Sequence, residues 1–169
     1  MDKLRLFLEN TRLLSDTWGI VPLLYGSLGL EYLTGEALCP DDIDILIPTV
    51  FLTERWEEFQ AVLEARGYVL TDRREHTFEK NGVCCAYACL EELETFAGIR
   101  EAEISVVAHG GTQFRLLSGE QYQRVYTASA KDGYRADVRG KKDAEKLAVI
   151  RRYLFGGEVD FPGTADGGR

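Results

Sequence analysis

LLYGSLGLEYLTGEALCPDDIDILIP, residues 23–48, joins an apolar run, a Gly-Ser turn and a strand that carries two aspartates. Its last part, Asp41 to Ile47, alternates in a way that only a strand makes sense of. Successive side chains of a strand point to opposite faces, so Asp42 and Asp44 share one face and Ile43, Ile45 and Ile47 the other. The isoleucines are core residues. Two carboxylates roughly 6 to 7 Å apart along a strand converge at their tips, and one would take up a proton unless a counter-charge intervenes. A hard divalent cation resolves the conflict, and Mg2+ is bound typically through one or two carboxylates, waters and substrate phosphates. Upstream, Gly26-Ser27 ends an apolar run and opens a short helix. Glycine there lets the backbone approach a ligand, a helix start offers N–H groups to an anion, and Ser27 adds a hydroxyl.

Working outward, Asp2 N-caps a helix with Leu4, Phe7, Leu8 and Leu14 at helical spacing, closed by Gly19. Ile20 to Tyr25 reads as a buried strand, Leu28 to Leu33 as a helix closed by Gly35, and Pro48 as the end of the Asp41–Ile47 strand. Thr53 is expected to cap a third helix with Trp56, Phe59, Val62 and Leu63 on one face. A strand begins at Tyr68. Asn81-Gly82 is the two-residue turn of a hairpin joining His76–Lys80 to Val83–Cys89. Gly110-Gly111 joins Glu101–Ala108 to Thr112–Leu117 in a second hairpin, and Ser118 with Gln121 forms a capping box for the next helix. A last helix is expected from about Lys141 to Phe155, followed by a loose tail over 156–169. This order defines an α+β fold, one domain over residues 1–155 with a mixed sheet and flanking helices.

The bulk numbers agree with a globular chain: 169 residues, 45% hydrophobic and 28% charged. No apolar run reaches the roughly 20 residues of a membrane span, and the charged amino end is no secretory signal, so a cytosolic address without membrane attachment is expected. Cys39, Cys84, Cys85 and Cys89 match neither a disulfide framework nor a zinc pattern and read as reduced thiols. A formal charge of -8 repels phosphate backbones, which argues against a long nucleic acid as partner.

Gly26-Ser27, the intervening helix ending at Gly35, and Asp42-Ile43-Asp44 followed by a hydrophobic strand resemble the signature of the DNA polymerase beta-like nucleotidyltransferase superfamily. The likeness is to its small members, the lincosamide and aminoglycoside nucleotidyltransferases and the toxin-antitoxin type. The resemblance implies that Gly26 and Ser27 hold a nucleoside triphosphate and that Asp42 and Asp44 bind Mg2+. Lys142-Asp143 is similar to the Lys-Asp that opens a late helix in several small members, which implies a nucleotide contact from Lys142. The activity implied is transfer of a nucleoside monophosphate to a hydroxyl acceptor, small molecule or protein; a catalytically degenerate nucleotide-binding or protein-interaction module of the same fold is the alternative.

The family carries a third carboxylate on a neighbouring strand. The matching region GVCCAYACLEEL has Ala88 and Cys89 there, so Glu91, on the parity of Cys85, Tyr87 and Cys89, is taken as the third catalytic carboxylate, with Glu79 and Glu103 as further candidates. Arg73, Arg74, Arg135, Arg139, Lys141 and Lys142 are candidate triphosphate ligands. His76 and His109 read as turn or strand residues, and Tyr122, Tyr126, Tyr134 and Tyr153 as core residues of which one could stack on a base. A haloacid dehalogenase-like phosphatase also uses Asp-x-Asp, but Cys39-Pro40-Asp41 here replaces the fully apolar strand that precedes it there.

Overall fold

A computed structural model describes residues 2–131 and 133–159, with side chains for 2–131 and 143–156. Helix α1 (Lys3–Trp18) begins where Asp2 Oδ1 accepts the Leu4 N–H at 3.0 Å and ends at Gly19, whose φ of 69° no other residue adopts as readily. Then follow β1 (Leu23–Tyr25), α2 (Gly26–Thr34) and β2 (Asp42–Ile47). Strand β1 is shorter than the apolar run leading to it. Pro22 has no N–H to give, and its carbonyl instead accepts from Arg115 at 2.7 Å.

After β2, the chain enters a 3-10 turn at Thr49–Leu52, so α3 (Trp56–Ala65) starts two residues later than a Thr53 cap would place it. Thr53 Oγ1 donates to the Thr49 carbonyl at 3.0 Å and closes that turn instead of capping α3. The outer strands β3 (Val69–Asp72) and β4 (Thr77–Lys80) lead to β5 (Val83–Cys89) through Asn81 and Gly82, whose φ values of 53° and 78° suit the expected hairpin turn. A six-residue helix, α4 (Glu92–Ala97), is too short to show periodicity in sequence. The second hairpin pairs β6 (Ser105–His109) with β7 (Thr112–Leu116); the strand expected from Glu101 starts at Ser105 because residues 101–103 form a 3-10 turn. The capping box is formed, with Gln121 N–H donating to Ser118 Oγ at 3.1 Å and Ser118 N–H to Gln121 Oε1 at 2.9 Å, and opens α5 (Gly119–Lys131). The last helix, α6 (Gly133–Val159), starts earlier and ends later than expected. Lys142-Asp143 therefore lies inside a helix and does not open one, and residues 160–169 of the expected tail lie outside the described residues.

The seven strands form one mixed sheet in the order β3-β4-β5-β2-β1-β7-β6, with β2 parallel to β5, β1 parallel to β7, and the other neighbours antiparallel. Ile43, Ile45 and Ile47 are each fully buried in the core that joins one sheet face to α1 and α3. On the other face, Leu23 and Leu46 pack with Leu30, Leu93, Tyr122, Val125, Val149 and Ile150 from α2, α4, α5 and α6. Among the described residues, no helix is long and apolar enough to cross a membrane.

The first core contains one polar knot. Asn10, fully buried on α1, donates through Nδ2 to the Tyr68 and Tyr87 hydroxyls at 3.2 and 2.7 Å. Burial pushes the Tyr68 hydroxyl up to about 12, and it pushes the nearby Cys85 thiol up to about 12 as well. Removing the shared donor leaves two buried hydroxyls short of a partner, so Asn10→Ala is expected to cost about 2–4 kcal/mol in urea unfolding. Both raised groups are neutral when protonated, and the unfolded chain gives up these protons first, the thiol from an ordinary value of 9.0 and the phenol from 10.0. Stability is thus expected to be intact below pH 9 and to fall between pH 9 and 12, by up to about 1.4 kcal/mol per pH unit for each group. A flat urea midpoint over that range would contradict the assignment.

Candidate active site

Antiparallel pairing of β1 with β2 sets Tyr25 opposite Asp44, so the chain leaving β1 turns into α2 beside the Asp44 carboxylate. Gly26, at φ 66°, makes that turn. A Cβ on Gly26 would overlap the Asp44 carboxylate, with the Asp44 Cγ at 3.1 Å. Glycine is thus demanded twice, by the left-handed backbone and by the carboxylate above it. Tyr25, at the N-cap of α2, supplies no side-chain cap, so the first-turn N–H groups of α2 are not claimed by it.

The turn is held from behind by α5. Tyr122, fully buried, donates its hydroxyl to the Gly26 carbonyl at 3.1 Å. That hydroxyl lies where a Cβ on Gly29 would be, and the Leu24 carbonyl would stand 2.5 Å from the same atom. Burial raises the Tyr122 hydroxyl well above its ordinary value, with Tyr126, Tyr25 and Asp44 adding to the shift, so it stays a donor at neutral pH. Its ring stacks on Tyr126 at 6.0 Å between centroids, and Lys146 Nζ of α6 lies 5.8 Å from the Tyr126 ring.

These groups surround a cavity of about 330 Å3. Gly26, Ser27 and Asp44 form one wall, Ala86, Ala88 and Glu75 another, and Tyr126, Ser129 and Lys146 the helical side. Ser129 also donates to Asp143 Oδ2 at 2.8 Å, which ties α5 to α6 through a buried carboxylate. A larger groove of about 420 Å3 runs beside α1 on the other face, where Arg5 and Arg12 alternate with Glu9 and Asp16; it contains neither the Gly-Ser turn nor the carboxylate pair.

Asp42 and Asp44 share a sheet face as expected, Asp44 half-buried in the cavity wall and Asp42 exposed at the outer end of β2. Asp42 pairs in register with Cys84, whose thiol is pushed up first by burial and then by Asp42, Asp44 and Glu79. Two carboxylates beside a cradle that a Cβ would fill suit a hard cation shared with phosphate oxygens. Among the described residues, no three His, Cys, Asp or Glu side chains are grouped to hold a metal alone.

Glu91 is not brought to this place. Its parity faces the α1 side, where Cys85 and Tyr87 are buried, and β5 ends at Cys89. Glu91 Oε1 instead accepts from Thr49 N–H and Oγ1 at 2.9 and 2.8 Å, beyond the far end of β2. Glu103 Oε1 is taken by the Arg100 N–H at 3.0 Å. His76, at φ 55°, sets its ring edge-on to Trp56 at 5.0 Å, and His109 Nδ1 lies 3.1 Å from the Tyr32 hydroxyl; neither enters the cavity. The side chains of Arg135, Arg139, Lys141, Lys142 and Tyr134 lie outside those described. Sequence reasoning missed Glu75, Ser129 and Lys146. Only Lys146 had a signal, standing one helical turn after Lys142.

The fold is that of the nucleotidyltransferases. The solution structure of the antibiotic-resistance factor ANT(2'')-Ia is similar with a TM-score of 0.60 at 18% identity, over 95% of this chain and 89% of that one. The crystal structure of ANT(2'')-Ia in complex with adenylyl-2''-tobramycin gives 0.53 at 18% identity, over 93% of each chain. No protein-family model matches the sequence. The uncharacterized protein YnaI of Bacillus subtilis (strain 168) is 36% identical over 148 residues, 88% of this chain and 95% of its own length. This chain belongs to the YnaI family.

Two substitutions test the cradle. Gly26→Ala forces a Cβ against Asp44 and a non-glycine residue into positive φ, and is expected to cost about 1–3 kcal/mol in urea unfolding. Tyr122→Phe keeps the packing and removes one donor from the Gly26 carbonyl, at about 1 kcal/mol. A Gly26→Ala protein as stable as wild type would show that the contact with Asp44 is not tight.

Proposed function

We propose that this protein transfers a nucleoside monophosphate from a nucleoside triphosphate to a hydroxyl of a small-molecule or protein acceptor, with Mg2+ bound. The observation that carries the reading is the Asp44 carboxylate lying directly over Gly26, which puts a cation ligand and an anion cradle within one phosphate group of each other. Ser27 and the N–H groups at the start of α2 hold the triphosphate, with Lys146, and Lys142 from the same helix, as its cationic partners. Asp42 and Asp44 hold the cation, which neutralises phosphate charge. Tyr126 offers a flat ring at the wall for the base. The ANT(2'')-Ia complex with adenylyl-2''-tobramycin supports a small-molecule acceptor. Four free thiols support a cytosolic address, and residues 1–155 are taken as the working domain.

One observation favours a second reading, a nucleotide-binding module without turnover. The β5 residue in register with Asp44 is Ala86, so the adjacent strand contributes no carboxylate there.

Calorimetric titration of Mg-ATP, Mg-GTP, Mg-CTP and Mg-UTP tests both. Wild type is expected to bind at least one of them in a Mg-dependent manner, with affinity at least tenfold weaker in Asp44→Asn, a loss of about 1.4 kcal/mol or more. Absence of nucleotide binding to wild type overturns both readings. Transfer of label from [α-32P]ATP to tobramycin, glycerol, water or the protein itself selects the enzyme.

A further inference from the structure

We infer that Glu75 is the catalytic base of the reaction, supplied from the β3–β4 turn in place of a carboxylate on β5. The inference rests on the nucleotidyl-transfer reading above. Registers across three strands set side chains on the Asp face in rows. Asp42 lines up with Cys84 of β5 and Glu79 of β4, and Asp44 with Ala86 and Thr77. Tyr87 N–H donates to the His76 carbonyl at 3.1 Å, which carries the β4–β5 pairing one step beyond Thr77 and brings Glu75 opposite Ala88, in the row of Leu46.

Glu75 lies on the face of the sheet that carries Asp44, in the wall of the same cavity. Phe78 is buried in the core against α1 and α3, and the His76 ring packs on Trp56 of the same core. Thr77 and Glu79 therefore face the other way, and Glu75, in the turn just before β4, lines the cavity on that face. The turn is fixed by Asp72, whose Oδ1 accepts the Arg74 and Glu75 N–H groups at 2.9 and 3.1 Å. Ala86 and Ala88 of β5 line the same cavity with short methyl side chains, which leave space between Glu75 and Asp44. Among the described residues, Glu75 and Asp44 are the carboxylates lining the cavity; Glu79 lies outside its walls.

Two strand spacings and two residues along a strand separate the Asp44 and Glu75 backbones by roughly 12 Å. Both side chains line the cavity of about 330 Å3 that lies between them. Glu75 is too far round the cavity to act with Asp42 and Asp44 as a third metal ligand, which agrees with the absence of any such trio among the described residues. In the step, the acceptor hydroxyl proton passes to the Glu75 carboxylate while the acceptor oxygen bonds to the α-phosphorus. The bond from that phosphorus to the α,β-bridging oxygen breaks, and pyrophosphate leaves with the electron pair.

The test measures Mg-ATP affinity by calorimetry and label transfer from [α-32P]ATP to tobramycin, glycerol and water in wild type, Glu75→Gln and Glu75→Ala. Glu75→Gln is expected to lower kcat by roughly 10²–10⁴ while Mg-ATP affinity stays within about twofold. Added formate is expected to restore part of the rate to Glu75→Ala and none to Glu75→Gln, whose amide fills the space. A Glu75→Gln protein with kcat within about threefold of wild type overturns the inference and leaves the nucleotidyltransferase reading standing. A variant that loses Mg-ATP binding to the same extent as kcat also overturns it, since Glu75 would then be a binding or structural group. Wild type that binds Mg-ATP but transfers to none of the three acceptors overturns the inference in favour of the non-catalytic reading, and wild type that binds none of Mg-ATP, Mg-GTP, Mg-CTP and Mg-UTP overturns the parent reading.

Discussion

The Asp44 carboxylate rests on the backbone of Gly26 with no space for a side chain between them, and the rest of the site is arranged around that contact. It exists because β1 and β2 are antiparallel neighbours at the centre of the sheet, so the end of one strand meets the start of the other. The apolar side of β2 makes this arrangement rigid. Ile43, Ile45 and Ile47 are locked in a close-packed core, and a strand held along one face presents the carboxylates on its other face in fixed positions. The close approach also has an electrostatic consequence. A carboxylate beside the first turn of a helix forms a pocket with both an anion-attracting and a cation-attracting wall, as a metal-bound phosphate requires.

Packing then brings distant sequence to the same point. Tyr122 is nearly a hundred residues from Gly26 and donates to its carbonyl, so α5 sets the height of the turn against the sheet. Ser129 and Asp143 couple α5 to α6 by a buried hydrogen bond, and α6 in turn supplies Lys146 beside the Tyr126 ring. A shift of either helix would move the cationic side of the cavity relative to Asp44. The buried polar groups here are thus more than stabilising contacts. Their alternatives leave a hydroxyl or carboxylate unpaired in a low-dielectric interior, which makes the observed geometry strongly preferred.

The sheet face shows how a cavity arises from what is missing. Large side chains at positions 86 and 88 would have filled the space between β2 and the helices, as Leu46 and Leu93 do further along. Alanine at both positions opens it, and a longer side chain from the turn before β4, that of Glu75, lines the same space. Sharing a fold with ANT(2'')-Ia at 18% identity leaves room for such rearrangement, because a sheet transmits position across strands and not only along them.

Features set by local rules were legible in the residues alone: the alternation that separates Asp42 and Asp44 from the isoleucines, the glycine turn before α2, the Asn81-Gly82 hairpin and the Ser118–Gln121 capping box. Each depends on backbone geometry within a few residues, which residue types report directly. The same rules misplaced Thr53, which closes a 3-10 turn after Pro48, and Glu91, whose parity points away from the aspartates. That Glu75 joins Asp44 at the cavity follows from tertiary packing alone, because its position depends on two strand registers and on a turn anchored by Asp72. Register is fixed by packing of the whole sheet between two layers of helices, and no single segment encodes it.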